Sequence, residues 1–232
     1  MNISKYLHYI DENKIDTLFT TPSYFNMLVK MGVAKKLEGV RRIFFAGEKL
    51  EIDKKVFEQY VQKTVIQNQY GPAETHVATS KKVDNFSDIT IGTPIANTQI
   101  YILDSDQHPV PIGVPGELCI AGEGVGKGYL NRPELTAERF VPNPFATAEN
   151  HHGKTMYRTG DLARFRSDGE IEYLGRMDTQ VKIRGLRIEL GEIESVMGSF
   201  PGVGLCAVAD KRDEMGRQYL VGYYTVAAET PS

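Results

Sequence analysis

The sequence predicts an α/β fold joined to a region of antiparallel β-structure. Three observations support that class. Up to about residue 70, β-type runs alternate with segments of helical spacing. From residue 98 to about 176, short apolar runs are separated by turns rich in proline and glycine. After Arg176 the texture changes once more, to strand, helix and a final pair of strands. The expected architecture is a parallel β-α-β sheet portion over 1–97, a small antiparallel, barrel-like β subdomain over 98–176, and an incomplete α+β lobe over 177–232.

Taken in order, Ile3, Tyr6, Leu7 and Ile10 fall on one helical face. Asp16–Thr20 reads as a strand stopped by Pro22, and a helix follows from about Tyr24. Arg42–Ala46 is a second strand, closed by Gly47. Asp53–Lys63 is expected to be a helix with Val56, Tyr60 and Val61 inward, and Thr64–Asn68 a third strand. In the middle region, Thr98–Leu103 and Gly116–Ala121 are strands around a turn region holding three prolines. Glu134–Phe140 fits one short helix after Pro133. Arg158–Arg166 and Glu170–Leu174 flank Ser167-Asp168-Gly169, a hairpin turn. Finally, Gln180–Ile183 is a strand, Leu190–Ser199 a helix, and Val203–Asp210 with Gln218–Val226 a strand pair.

The chain has 232 residues, 41% hydrophobic and 25% charged, with a net charge of −3. That balance excludes disorder and carries no polybasic footprint, so no nucleic-acid partner is expected. No apolar stretch approaches the 18 or so residues of a membrane span, and the amino terminus lacks the apolar centre of a signal peptide. Cys119 and Cys206 sit in separate apolar runs without metal-ligand spacing, as small core residues do. A reducing cytoplasm is the expected setting.

In parallel sheets ligands bind beyond the carboxyl ends of strands. Asn68-Gln69-Tyr70-Gly71-Pro72-Ala73-Glu74 stands at such an end. Its Gly-Pro turn presents an aromatic that can stack on a planar base and a carboxylate that can offer a hard oxygen to Mg²⁺. Tyr157–Leu162 places Asp161 after a glycine; its two oxygens can accept from both hydroxyls of a ribose, or cap backbone amides in a turn. Gly175–Glu194 is dense in charge and reads either as a solvated strand or as an interdomain hinge with a phosphate-facing arginine. Gly122–Gly128 invites a phosphate-loop reading and fails on spacing, because Ala121 and Gly128 stand where a glycine and a Ser or Thr are needed. A glycine-rich structural turn is the better reading. His151-His152 lacks partner ligands and is not expected to bind metal.

Together and in this order, NQYGPAETH at 68–76, GELCIAGEGVGKGYLNRPELT at 116–136, YRTGDL at 157–162 and GRMDTQVKIRGLRIELGEIE at 175–194 resemble the adenylation domains of nonribosomal peptide synthetases. IGTPI at 91–95 and FFAGEKL at 44–50 add to the resemblance, which covers nearly the whole chain. It implies an enzyme that joins an amino acid to ATP, releases pyrophosphate, and passes the acyl group to the phosphopantetheine thiol of a carrier protein. By that resemblance Tyr70 stacks on adenine with Asn68 nearby, and Gln69, Gly71, Pro72 and Ala73 line the nucleotide side. Glu74 holds Mg²⁺, Asp161 binds the ribose, and Tyr173 and Arg176 complete the site, Arg176 with Glu74 as the catalytic pair. Asp178 is the implied hinge. Phe19, Phe44, Ala46, Gln69, Val77 and Ala78 match the amino-acid pocket, whose apolar walls favour an apolar or aromatic substrate.

The family's upstream phosphate loop, its amine-holding aspartate and its carboxy-terminal lysine have no counterpart in these residues, and Ala73 replaces a usual threonine. The expectation is the latter part of a large lobe plus the start of a small one, inactive alone and prone to self-association through uncovered apolar surface. Neighbouring synthetase domains are the other implied partners. The alternatives are another adenylate-forming ligase (acyl-CoA or D-alanine–carrier) and a non-catalytic docking module; RPELTAERF and LGEIE favour the peptide-synthetase branch.

Overall fold

The computed structural model describes residues 3–32, 37–147, 153–177, 180–183, 186–213 and 218–226. Two compact units result, Met1–Met177 and Asp178–Ser232.

The first unit opens with helix α1 (Ile3–Glu12), strand β1 (Thr17–Thr20), helix α2 (Pro22–Lys30), strand β2 (Arg42–Phe45), helix α3 (Lys54–Val61) and strand β3 (Val65–Tyr70). Strands β1, β2 and β3 are parallel and in register, with Phe19 beside Phe44 and Phe44 beside Gln67. Pro22 does not merely stop β1. It occupies the first turn of α2, where a missing amide costs nothing, and Thr21 caps that helix by accepting from the Tyr24 amide. Glu48 adds a second cap, accepting from the Ser23 amide at 3.0 Å and hydroxyl at 2.8 Å. Asp53 caps α3 through the Lys55 and Val56 amides. The inward face of α3 carries Phe57 and Tyr60, with Val56 and Val61 only partly buried. Leu7, Phe25, Ile43, Phe45 and Ile66 complete this core, where Phe25 meets Phe45 and Tyr60 edge-to-face, each at 5.2 Å. Each such side chain contributes about 1.5–3 kcal/mol by leaving water.

Two short strands extend this sheet: β4 (Thr79–Lys82), antiparallel to β3, and β5 (Thr93–Pro94), antiparallel to β4. The next five are β6 (Thr98–Leu103), β7 (Gly116–Gly122), β8 (Phe140–Pro142), β9 (Thr155–Phe165) and β10 (Ile171–Arg176), with helix α4 (Pro133–Arg139) before β8. They form one antiparallel sheet in the order β10-β9-β7-β6, with β8 also on β9. The barrel-like subdomain expected over 98–176 is antiparallel β-structure, but it does not close into a barrel. The sheet is open, and among the described residues β6 and β10 lie at opposite edges without pairing. The free edge of β10 is used instead to join the two sheets, through paired backbone bonds between Ile171 and the 91–92 segment at 3.0 and 2.8 Å. Cys119 lies fully buried in β7, and burial pushes its thiol up to about 12, so it is a core residue.

The second unit holds the hairpin β11 (Val181–Ile183) and β12 (Leu186–Ile188), helix α5 (Leu190–Gly198), and the antiparallel pair β13 (Val203–Arg212) and β14 (Gln218–Val226). Glu194 fastens α5 to β13: its carbonyl accepts from the Cys206 thiol and its carboxylate from the Val208 amide at 2.8 Å. No helix among the described residues is long and apolar enough to cross a membrane.

Candidate functional site

The site is built around Asp161. Strand β9 carries a bulge against β7, so that Leu118 faces Asp161 while Cys119 faces Arg158. Thr159 and Gly160 are the extra residues, and Gly160 takes a φ of +69°, a conformation that favours glycine. Strand β7 locks the bulge. The Thr159 hydroxyl donates to the Leu118 carbonyl at 2.6 Å and accepts from the Asp161 amide at 2.9 Å. Glu117 accepts from the Gly160 amide at 3.1 Å and from Arg158 Nη2 at 2.7 Å. The Asp161 carboxylate is thereby aimed into the interior, 2% exposed.

Both of its oxygens are engaged. Oδ1 accepts from Arg176 Nη1 at 2.9 Å, and Oδ2 accepts from the Tyr70 hydroxyl. Arg176 stands directly across from Asp161 on β10, and its Nη1 also donates to the Thr159 carbonyl at 2.7 Å. Burial, then the neighbouring Asp161 charge, raise the Tyr70 hydroxyl well above the ordinary tyrosine range, so it stays a neutral donor. The Tyr173 ring lies 5.9 Å from that of Tyr70, tilted by 40°. Three separated segments thus meet on one carboxylate.

Glu74 lies beyond β3 in the Gly71–Ala78 turn. The turn is tight: a Cβ on Gly71 would meet the His76 carbonyl oxygen at 1.7 Å, and the Ala78 amide donates back to the Tyr70 carbonyl at 2.8 Å. Glu74 Oε1 accepts from the Tyr129 hydroxyl at 2.7 Å, which in turn lies 3.3 Å from the Tyr157 hydroxyl. The glycine-rich Gly122–Gly128 segment is indeed a structural element, lying against this turn, with the Gly126 amide donating to the Glu74 carbonyl at 2.8 Å. Among the described residues no cluster of three His, Cys, Asp or Glu could cage a metal. A single half-buried carboxylate fits Mg²⁺ only when the cation also rides on phosphates and water, which is its usual habit.

Not every expected residue reaches this centre. Asn68 is 4% exposed and donates to the Thr90 carbonyl at 2.7 Å, so its amide is spent inside the fold. Phe19, Phe44 and Gln69 share the less buried face of the parallel sheet, with Phe19 64% exposed, and Ala46 follows β2 at its carboxyl end. Val77 is half-buried, while Ala78 packs in the core beside Tyr70 and Ile91 and so stands apart from the other pocket residues. Gly71, Pro72 and Ala73 form the turn itself. Asp178, His151 and His152 lie outside the described residues. The sequence reading did not single out Glu117, Tyr129, Tyr157 or Thr159, although all four stand inside the motifs it quoted.

The profile of AMP-binding enzymes matches residues 2–130. The chain belongs to the AMP-binding enzyme family. Within this family it is similar to large peptide synthetases. It is 43% identical to bacitracin synthase 3 of Bacillus licheniformis over 96% of the chain, and 42% identical to surfactin synthase subunit 1 of Bacillus subtilis over 97%. The chain spans only 4% and 6% of those two proteins. Among solved structures, the holo form of PA1221, with adenylation and PCP domains, matches 99% of the chain and 40% of its own at a TM-score of 0.85 and 28% identity. An artificially fused adenylation–PCP di-domain, NpsA-ThdA from Klebsiella oxytoca, matches 100% of the chain and 43% of its own at 0.80 and 25% identity. A four-domain synthetase bound to AMP and glycine, AB3403, is 36% identical, with a TM-score of 0.63 over 98% of the chain and 17% of its own.

Proposed function

We propose that this chain is part of an amino-acid-activating adenylation domain of nonribosomal peptide synthesis. The observation that carries the reading is the convergence of Tyr70, Asp161 and Arg176, from three separate motifs, on one buried carboxylate. Family membership and the synthetase relatives support it.

In this reading the nucleotide lies against Tyr70 and Tyr173, and its ribose hydroxyls bond to Asp161. Each carboxylate oxygen has a second lone pair, and Arg176 is the partner that yields, since its side chain keeps 11% exposure against 3% for that of Asp161. The freed guanidinium then faces the phosphates, where a planar, permanently charged donor set is well suited. The reaction is attack of an amino-acid carboxylate on the α-phosphate of ATP, with pyrophosphate leaving, followed by attack of a carrier-bound phosphopantetheine thiol on the acyl carbon, with AMP leaving. Magnesium, when bound, would neutralise phosphate charge beside Glu74. Gly71 and Pro72 fix where Glu74 stands. Phe19, Phe44 and Ala46 form apolar pocket walls with Gln69 as one polar contact, which favours an apolar or aromatic amino acid. Asp178 is the hinge in this reading, at the boundary between the two units.

The test is calorimetry of the 232-residue chain with sulfamoyl-adenosine analogues of aminoacyl-adenylates. Phenylalanyl and leucyl analogues are expected to bind, and aspartyl and lysyl analogues at least about tenfold more weakly, as a missing counter-charge in the pocket implies. Preference for a charged side chain would overturn the pocket assignment. Absence of binding by every analogue would overturn the adenylate site.

A further inference from the structure

We infer that Tyr129 is a positioning residue for Glu74, and that the glycine-rich segment before it exists to bring that phenol and the Glu74 turn together. The inference rests on the proposed Glu74–cation reading and adds the group that orients the carboxylate.

Three contacts support it. The Tyr129 hydroxyl donates to Glu74 Oε1 at 2.7 Å, which fixes the orientation of the carboxylate. The Gly126 amide donates to the Glu74 carbonyl at 2.8 Å, fixing the backbone of the same residue. Gly124 and Gly126 approach so closely that added Cβ atoms would lie 2.8 Å from the Thr75 carbonyl oxygen and 3.1 Å from that of Glu74. Only a chain without side chains at these two positions passes there undisturbed.

Tyr129 is itself held from three sides. Its amide donates to Thr136 Oγ1 at 2.9 Å, and that hydroxyl donates to the Arg132 carbonyl at 2.8 Å, so α4 anchors the backbone. Its ring meets Phe140 edge-to-face at 5.3 Å. Its hydroxyl gives its proton to Glu74 and accepts from the buried Tyr157, 3.3 Å away. The result is a relay Tyr157 to Tyr129 to Glu74 that joins three motifs. A carboxylate held by an outer donor presents a fixed oxygen to a metal, and loss of such a donor costs about tenfold or more in metal affinity.

The experiment measures Mn²⁺ bound to the full chain with α,β-methylene-ATP, by loss of the free-ion paramagnetic resonance signal, and AMP affinity separately in EDTA. Wild type, Tyr129→Phe, Glu74→Gln and the double variant are compared. Tyr129→Phe is expected to weaken Mn²⁺ about tenfold and to leave metal-free AMP affinity within about twofold. In the Glu74→Gln background the same substitution is expected to change nothing further. Equal losses in Mn²⁺ and AMP affinity would show a merely structural role and overturn the inference. Unchanged Mn²⁺ affinity in Tyr129→Phe, with a loss in Glu74→Gln, would overturn the positioning role alone. Unchanged affinity in Glu74→Gln, or no Mn²⁺ uptake by wild type, would overturn the cation reading and this inference with it.

Discussion

Tyr70→Phe isolates one buried side-chain bond among those that tie the two sheets of the first unit together. The ring stays in its core position, 8% exposed, so apolar burial is unchanged and only the hydroxyl is lost. The lost bond runs to an ionised, buried acceptor, which places its worth at about 1.5–3 kcal/mol rather than the ~1 kcal/mol of a neutral pair. Asp161→Asn is the companion change. An amide offers one oxygen and one NH₂, so either Tyr70 or Arg176 is left facing a donor. Breaking a buried ion pair costs about 3–5 kcal/mol, and the partial exposure of Arg176 favours the lower end. The assay is urea unfolding, followed by a probe in the first unit because the two units can melt separately. With a slope of about 1–3 kcal/mol per molar urea, Tyr70→Phe is expected to lower the midpoint by about 1 M at unchanged slope. The two changes share one carboxylate, so the double variant is expected to fall short of additivity by about 1 kcal/mol or more. A Tyr70→Phe shift below about 0.3 kcal/mol, the range of an ordinary surface change, would refute the claim that this bond clamps the sheets.

Two further outcomes follow from the same geometry. Gly71→Ala forces a Cβ onto the His76 carbonyl, so the turn carrying Glu74 must open; a loss of about 3 kcal/mol is expected in thermal or urea unfolding, at the upper end for overpacking. Tyr70 and Tyr129 are both raised above the usual tyrosine value of 10.0. Groups raised in the folded state contribute stability that is fully present below the unfolded value and lost as pH rises beyond it. Unfolding free energy is therefore expected to hold below about pH 10 and to decline above it, with a shallower decline in the Tyr70→Phe, Tyr129→Phe double variant; an unchanged decline would contradict the burial of these phenols.

Much of this architecture could be read in the sequence, for reasons that are local. The apolar, aromatic runs Leu18-Phe19 and Ile43-Phe44-Phe45, closed by Pro22 and Gly47, mark strands, and Asp53 marks a helix start. What escaped is set by distant partners. Thr79–Lys82 reads Thr-Ser-Lys-Lys, with no apolar signal, and becomes a strand because β3 offers it an edge. Barrel closure depends on whether β6 meets β10, and no local pattern states that; the 91–92 segment takes the β10 edge instead. The site divides the same way. Asp161, Tyr70 and Arg176 stand at motif positions and meet in space. Asn68 shares both the motif and the buried face of β3 with Tyr70, and what sets it apart is a distant partner, the Thr90 carbonyl that takes its amide. Tyr129 and Tyr157 had no local signal. A phenol in an apolar setting reads as packing until the carboxylate it serves, 55 residues away in the case of Tyr129 and Glu74, is brought beside it.

Nucleotide capture by Asp161 is tested most directly by titrating the full chain with AMP, beside Asp161→Asn and Tyr173→Leu, with circular dichroism showing that each variant is folded. Saturable binding by wild type, weakened about tenfold or more in Asp161→Asn through loss of a charged acceptor and more modestly in Tyr173→Leu, is the predicted result. Equal affinity in wild type and Asp161→Asn would contradict it, leaving the buried carboxylate as a clamp between two sheets and nothing more.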